Sequence, residues 1–257
     1  MSDSTRELSE IPVGHYHRVM ESGNPIRRAW HLLKFRRVLD AFPPGPGLSL
    51  LDIGCFAGSL LSLADETRFS RQLGVDILPE QIRFATEHFG TEHRRFQTIR
   101  SLDDLEGLDG PFDCVSAIEL IEHITPEEIR TLFRGAATLL TPGTGSFILS
   151  TPNYLSTWPL LELGLNRFSD VDYSEQHITR FNRLTVKSGL RSIVPELERW
   201  FRWDLVTTTH LLTPFAAALL GVERAVQAGS SVPHSRWFMP FGNLILMRLV
   251  RTTEPVS

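Results

Sequence analysis

Hydrophobic and polar positions along this chain form two kinds of pattern, which alternate. Short apolar runs of strand length recur, and between them apolar residues return every three or four positions. Short apolar runs are typical of buried strands, and the longer period is typical of helices packed on a sheet. The runs predict strands at residues 48–53, 73–76, 96–99, 112–118, 146–150, 203–208 and 244–250. The pattern therefore predicts an α/β fold with a seven-stranded, mostly parallel sheet covered by helices on both faces.

The helical periods predict the domain organisation. Helices are expected at residues 16–41 with a break at Pro25, and at 59–65, 79–89, 125–140, 182–201 and 214–227. Residues 1–44 would form an N-terminal helical extension, and residues 45–257 would form the main domain. Residues 153–181, after the fifth strand, carry aromatic residues, a proline and a glycine without a clean period. We expect them to form an insert over the functional site.

Composition narrows the classes of partner. The chain has 257 residues, of which 42% are hydrophobic, and a net charge of −4. The acidic balance disfavours nucleic acid as a partner. Its two cysteines, Cys55 and Cys114, lie in apolar contexts, which indicates buried free thiols in a reducing compartment. The sequence shows no signal-peptide pattern and no apolar run of about 20 residues, so the expected location is cytoplasmic.

One segment predicts a nucleotide-like ligand. The first predicted strand ends at Asp52-Ile53, and a glycine-bearing turn through Gly54 and Gly58 leads into a helical period. Strand, tight turn and helix in this order are typical of a corner that binds a nucleotide. About 20 residues further on, a second apolar run ends at Asp76, where a carboxylate can accept both hydroxyl protons of a ribose.

These features, with the strand at Phe112-Asp113-Cys114-Val115 and the Pro142-Gly143 turn before a core strand, resemble a known family. The chain is similar to the class I, Rossmann-like S-adenosylmethionine-dependent methyltransferases, and most to the group of ubiquinone-type O-methyltransferases and bacterial small-molecule methyltransferases. The resemblance implies S-adenosylmethionine as cofactor. It implies these contact residues: Asp52, Gly54, Cys55, Phe56, Gly58, Asp76, Ile77, Ser101, Leu102, Ile118 and Glu119.

The chain departs from the family pattern at two points. Phe56 stands where the family usually has glycine, so its side chain must turn away from the cofactor or reshape the pocket. Arg100 and Ser101 stand after the third predicted strand, where the family often has an acid. The adenine contacts there would come from backbone groups or from Asp103.

A second group of polar residues follows the fourth predicted strand. Glu119, Glu122 and His123 resemble the Glu-x-x-Glu-His pattern of the metal-assisted branch of this family, which includes small-RNA 2′-O-methyltransferases. The resemblance implies His177 as the fourth ligand and Mg²⁺, Mn²⁺ or Zn²⁺ as the ion. The alternative is catalysis by a general base, His123 or His177, with Glu122 as the neighbouring carboxyl or a helix cap.

The function that we expect is methyl transfer from S-adenosylmethionine to a small-molecule or lipid-linked acceptor, and to its oxygen in preference to nitrogen or carbon. One alternative is an RNA 2′-O-methyltransferase with a Glu/Glu/His/His metal site, which the acidic composition disfavours. The other alternative is a non-catalytic cofactor-binding protein. The sequence leaves open whether the apolar C-terminal third serves the acceptor, a membrane surface or a second copy of the chain.

Overall fold

The computed structural model describes residues 11–22, 24–156, 178–211, 213–232 and 240–256. The strands within these ranges are β1 (Leu48–Ile53), β2 (Phe69–Asp76), β3 (Arg94–Thr98), β4 (Cys114–Ile118), β5 (Ser146–Pro152), β6 (Phe201–Thr209) and β7 (Leu244–Arg251). The helices there are α1 (His15–Ser22), α2 (Pro25–Ala41), α3 (Ser59–Ser62), α4 (Pro79–Phe89), α5 (Pro126–Leu139), α6 (Val186–Ile193), α7 (Leu197–Trp200), α8 (Thr213–Leu220) and α9 (Val222–Ser231). A 3₁₀ helix covers Leu102–Gly107.

All seven strands belong to one sheet, in the order β3-β2-β1-β4-β5-β7-β6. The first five in this order are parallel, and β7 runs antiparallel to both β5 and β6. The predicted Rossmann-like, mostly parallel sheet is therefore confirmed. The chain reverses its direction of travel across the sheet between β1 and β4. In open α/β sheets, ligands bind beside the carboxyl ends of the strands at such a point.

Helices cover both faces of the sheet, and β5 shows how one strand serves both. Phe147 and Leu149 belong to a hydrophobic cluster with residues of α5, α6 and α7, whereas Ile148 belongs to a second cluster with residues of α2 and α3. Successive side chains of a strand point to opposite faces, so a strand buried on both sides reads as a continuous apolar run. This is why the strands were predictable from the sequence.

Helix α5 has a well-defined start. The Thr125 side chain accepts a hydrogen bond from Glu128 N, and the Glu128 side chain accepts one from Thr125 N. Pro126 occupies the first turn, where a missing N–H costs nothing. Ile129 and Phe133 of α5 are fully buried against the sheet.

Two predicted helices are wrong in their continuity. The segment 182–201 forms α6 and α7, which are separated by a short connection that contains Pro195. The segment 214–227 is divided at Gly221, whose φ of +82° interrupts a helix. Both interruptions occur at residues that break helices, within segments whose apolar period continues across them.

Two expectations about the organisation of the chain, the insert and the domain division, stay predictions. Residues 157–177, most of the predicted insert, lie outside the described residues, so the insert stays a prediction. The division between residues 44 and 45 stays a prediction as well. Cys55 and Cys114 are buried free thiols, as expected. Within the described part of the chain, no helix combines the length and the apolar character that crossing a membrane requires.

Candidate functional site

The turn after β1 is bonded to the end of β2. The backbone N–H groups of Gly54 and Cys55 both donate to Val75 O, at 2.9 and 3.1 Å. The next N–H, that of Phe56, donates to Asp76 Oδ2 at 2.8 Å. Two of the elements singled out from the sequence, the turn and the acid, therefore meet directly at the carboxyl edge of the sheet.

The two glycines of this turn are required by its backbone. Gly54 and Gly58 have φ of +73° and +76°, a region that other residues rarely adopt. A Cβ on Gly58 would lie 2.8 Å from the Phe96 ring of β3 and 3.0 Å from Ala85 of α4. A Cβ on Gly54 would lie 3.2 Å from Leu120. Close packing of the turn on its neighbours therefore adds to the need for glycine.

Phe56 also adopts a left-handed conformation, with φ of +49°. This explains why the family favours glycine at its position. Its half-buried ring lies 5.2 Å, centroid to centroid, from the ring of Tyr16 in α1. The Phe56 side chain therefore packs against α1 of the N-terminal helices, and its direction relative to the cofactor stays a prediction.

Asp76 fits the role of a ribose-binding acid. Its carboxyl is buried, which raises its pKa, and its two oxygens accept hydrogen bonds from Phe56 N at 2.8 Å and Leu78 N at 2.9 Å. Ile77 also contributes a backbone hydrogen bond, and a carboxylate has about four acceptor positions, so capacity for a further donor remains. A ribose offers hydroxyl donors, so a buried carboxyl with acceptor capacity at this edge of the sheet fits a nucleoside ligand such as S-adenosylmethionine.

Asp52 lies deeper, within β1, where it faces Gly74 of β2 and Ser116 of β4 in the sheet register. Its Oδ1 accepts a hydrogen bond from the Ser116 hydroxyl at 2.7 Å. Burial raises the pKa of Asp52 to about 7 despite that hydrogen bond, and the charge on Asp76 adds to the increase. Asp52 is therefore a buried carboxyl whose ionisation is disfavoured by its surroundings.

The residues predicted for the adenine side have structural partners of their own. Ser101 precedes the 3₁₀ helix, and its Oγ accepts a hydrogen bond from Asp103 N at 3.2 Å. Arg100 forms an ion pair with Asp104 at 2.8 Å. Ile77 and Leu102 pack, partly buried, against the larger hydrophobic cluster. The structure places these residues beside the carboxyl end of β2, and their contact with the cofactor stays a prediction.

Glu119 directly follows β4, with a φ of +51°, and its N–H donates to Ser150 O at 3.0 Å. Its carboxylate forms an ion pair with Lys34, which reaches the edge of the sheet from α2. Ile118, the residue before Glu119, packs partly buried against the hydrophobic cluster on the α2 side of the sheet. The sequence analysis singled out Glu119 but not Lys34, because Lys34 is one of many charged residues on a basic helix.

Glu122 and His123 follow in the turn after β4. Glu122 is almost completely buried, and burial raises the pKa of its carboxyl to about 8, with a further contribution from the charge on Glu119. Glu122 therefore holds a proton at neutral pH. His123 is half-buried, and its backbone N–H donates to Leu120 O at 3.0 Å.

The predicted metal ligands do not come together in the part of the chain that is described. No group of three histidine, cysteine, aspartate or glutamate side chains there is arranged to hold a metal ion, so Glu119, Glu122 and His123 form no such group by themselves. The physical reason is that Glu119 is paired with Lys34 and Glu122 is buried with a raised pKa. His177 lies outside the described residues, so a ligand set that includes it stays a prediction.

A cavity of about 280 Å³ opens at the end of β6, between α2, α8 and α9. Strand β6 runs in the same direction as β5, since both are antiparallel to β7, so the cavity lies at the same edge of the sheet as the turn and Asp76. Its walls are mostly small and apolar, and they also include Arg37 and His210. No pattern in the sequence indicated this cavity, because its walls come from segments about 170 residues apart or more.

His210 fixes one wall of the cavity. Its Nε2 lies 3.0 Å from Trp30 O, and because a carbonyl only accepts, Nε2 carries the proton. The Nδ1 atom then accepts a hydrogen bond from the Thr209 hydroxyl. Burial lowers the pKa of His210 to about 4, so the ring is neutral at physiological pH. His210 thus links α2 to the end of β6.

The sheet order, the turn with three positive φ angles and the acid at the end of β2 together define a Rossmann-like α/β protein. A family model described as a methyltransferase domain matches residues 27–193. The chain therefore belongs to the methyltransferase domain family, as the resemblance implied. The match begins inside α2, so it includes part of the predicted N-terminal extension.

Curated relatives with ubiquinone-related names are similar over part of their length. The ubiquinone biosynthesis O-methyltransferase of Methylobacterium sp. (strain 4-46) is 33% identical over 144 residues, which are 53% of this chain and 55% of that protein. The mitochondrial enzyme of the same name from Saccharomyces cerevisiae is 28% identical over 141 residues, 53% of this chain and 44% of that protein. The chain thus spans about half the length of these relatives.

Solved structures confirm the fold. A methyltransferase in complex with the Haloferax volcanii Trm112 methyltransferase activator has a TM-score of 0.61 and 19% identity, and the alignment covers 97% of this chain and 96% of that one. The magnesium protoporphyrin IX methyltransferase of Synechocystis PCC 6803, solved with bound SAH, has a TM-score of 0.56 and 17% identity, with coverage of 92% and 93%.

Proposed function

We propose that this protein transfers the methyl group of S-adenosylmethionine to an oxygen atom of a small or lipid-linked acceptor. The observation that carries the proposal is the contact between the turn after β1 and Asp76, whose buried carboxyl retains acceptor capacity for a ribose hydroxyl. Membership of the methyltransferase domain family and the ubiquinone-related names of the relatives support it.

The cofactor supplies an activated methyl group. The chain has to bind the cofactor, orient the acceptor and remove the proton of the acceptor hydroxyl. The turn and Asp76 would bind the cofactor, with Ile77 and Leu102 beside its adenine. Transfer to a hydroxyl group forms the methyl–oxygen bond, breaks the methyl–sulfur bond and releases the hydroxyl proton. A half-buried imidazole at the carboxyl edge is a suitable acceptor for that proton, and we assign this role to His123.

The other two predicted catalytic residues, Glu122 and His177, would have different roles. Glu122, with its pKa raised to about 8, holds a proton at pH 7 and is therefore suited to donate a hydrogen bond and not to act as the base. His177 stays a candidate base from the sequence alone. The apolar cavity at the end of β6 is close to the lower limit of about 300 Å³ for small-molecule pockets, and its walls suit an apolar acceptor.

Calorimetric titration with S-adenosylhomocysteine tests the cofactor site. We expect the wild type to bind it and Asp76→Asn to bind at least about tenfold more weakly, because a hydrogen bond to a charged acceptor is worth about 1.5–3 kcal/mol. Asp109→Asn, at an exposed aspartate, should leave the affinity unchanged. Thermal melting of both variants shows whether they fold. Failure of the folded wild type to bind S-adenosylhomocysteine would refute the proposal.

Steady-state kinetics test the assignment of His123. With an alkyl-substituted catechol as acceptor, His123→Ala should lower kcat by about 10²–10⁴-fold and leave the affinity for S-adenosylhomocysteine unchanged. His88→Ala, at an exposed histidine, is the matched control. If His123→Ala kept the kcat of the wild type, another group would have to be the base. Methyl transfer that appears only on a nitrogen or carbon of other acceptors would refute the O-methylation.

A further inference from the structure

Lys34 is a buried lysine at the candidate active site. Its side chain is only 6% exposed, and its ammonium forms an ion pair with Glu119, 85 residues further along the chain. The ammonium also lies 4.8 Å from the centroid of the Phe35 ring. Removing an ammonium from water costs several kcal/mol, so such a group is kept only where it is paired. The pair therefore fixes one positive charge at the end of β4.

The charge of Lys34 acts on several groups from different elements. Burial raises the pKa of Asp52, and the positive charge of Lys34 opposes that increase. On the other side, the Lys34 charge helps to lower the pKa of His31 and of His210, for which burial is the larger cause. The Lys34 ammonium thus acts on its direct partner Glu119 and, more weakly, on the carboxyl of Asp52 within β1.

The residue type supports a specific role for this position. Only two of the 26 lysine and arginine residues of the chain are lysines, Lys34 and Lys187. A lysine ammonium is a compact point charge, whereas the arginine fork needs a wide, planar partner. A compact charge that faces carboxylates is also what a small metal ion provides, and Glu119 is the first ligand of the metal site that the sequence resemblance implies.

We propose that the Lys34 ammonium is the resident cation of the candidate active site and takes the place at Glu119 that the resemblance assigns to a divalent metal ion. Glu119 is then the counter-ion of a lysine and not a metal ligand. Lys34 is a positioning residue, which acts through Glu119 and holds α2 at the edge of the sheet. The catalytic meaning of this inference rests on the proposed function, but the cation that occupies the site can be tested independently.

Titration of the full chain with Mn²⁺, followed by electron paramagnetic resonance of the free ion, provides that test. Lys34→Met removes the ammonium and leaves the Glu119 carboxylate without its counter-ion. We expect this variant to bind Mn²⁺ at least about tenfold more tightly than the wild type, which corresponds to about 1.4 kcal/mol. Adding Glu119→Gln to Lys34→Met should abolish the gain. Lys187→Met removes the other lysine and should behave as the wild type does.

Two results would overturn the inference. One is a folded Lys34→Met variant with no gain in Mn²⁺ affinity. The other is a wild type that binds Mn²⁺ and loses at least about tenfold in affinity on Glu119→Gln, which would show that Glu119 is a metal ligand. The single Glu119→Gln variant decides the question even if Lys34→Met fails to fold, since we expect it to leave the Mn²⁺ affinity of the wild type unchanged.

Calorimetry with S-adenosylhomocysteine on the same samples, with and without a chelator, separates this inference from the proposed function. We expect the chelator to leave the affinity of the wild type unchanged. Loss of all S-adenosylhomocysteine binding would count against the proposed function, whatever the Mn²⁺ titration shows. Mn²⁺ binding through Glu119 would count against the role of Lys34 alone.

Discussion

Folding moves the Asp52 carboxyl from water into the centre of the sheet, and this should make stability depend on pH in a predictable direction. The pKa of Asp52 rises from its ordinary value of 3.8 to about 7 because of burial, against the hydrogen bond from Ser116. Asp52→Asn removes the titration and retains a side-chain oxygen that can accept the Ser116 hydrogen bond. The two proteins should therefore differ in the pH dependence of their unfolding.

The magnitude follows from the two pKa values. Below pH 3.8 the carboxyl is protonated in both states, and folding carries no charging cost. As the pH rises from 3.8 to about 7, the unfolded chain ionises while the folded protein keeps its proton, so stability falls. At about 1.4 kcal/mol for each pKa unit, the loss reaches about 4 kcal/mol and is then constant at higher pH. Asp52→Asn should escape this loss.

Urea unfolding of the wild type and of Asp52→Asn at several values between about pH 4 and about pH 8 measures the effect. The stability of the variant relative to the wild type should increase across this range by several kcal/mol. Any constant cost of the substitution cancels in the comparison. Asp109→Asn, at an exposed aspartate, should show a much smaller change. A difference between Asp52→Asn and wild type that stays constant with pH would refute the assignment of a raised pKa to Asp52.

Two further substitutions test the packing around the sheet. Gly58→Ala should destabilise the protein by about 2 kcal/mol or more, because alanine is strained at a φ of +76° and its Cβ would lie 2.8 Å from Phe96; urea unfolding measures the loss, and an unchanged midpoint would contradict it. Arg251→Met should cost about 3 kcal/mol, because the buried guanidinium donates to Ala137 O and Glu254 O, both at 2.7 Å. Thermal melting should show a lower Tm for Arg251→Met than for the wild type. An unchanged Tm would contradict the prediction.

The features that could be predicted from the sequence are those encoded over short distances. The strand from Leu48 to Ile53, the turn with Gly54 and Gly58 and the acid Asp76 all lie within one stretch of chain, and the structure has them together. The first residues of β2 were missed because Ser70 and Arg71 are exposed and interrupt the apolar run.

The features that could not be predicted depend on contacts between distant segments. The pair between Lys34 and Glu119 joins residues 85 positions apart, and a lysine on a basic helix gives no sign that it faces inward. The bond between His210 and Trp30 O spans 180 positions and forms only when α2 meets the end of β6. Helix amphipathicity indicates a buried face, but it does not identify the element that the face meets.

Phe56 shows how the N-terminal helices and the turn depend on one another. A left-handed backbone costs a residue with a side chain about 1–2 kcal/mol, and a family that uses glycine there avoids this cost. An aromatic pair contributes about 0.5–1.5 kcal/mol beyond the burial of its surface, and the ring of Phe56 has such a partner in Tyr16. The strain and the contact are therefore similar in size. Phenylalanine is tolerated at this position because α1 lies against the turn. The Phe56 ring also helps to hold α1 there. The departure from the family pattern at Phe56 is thus explained by the attachment of the N-terminal helices to the turn after β1.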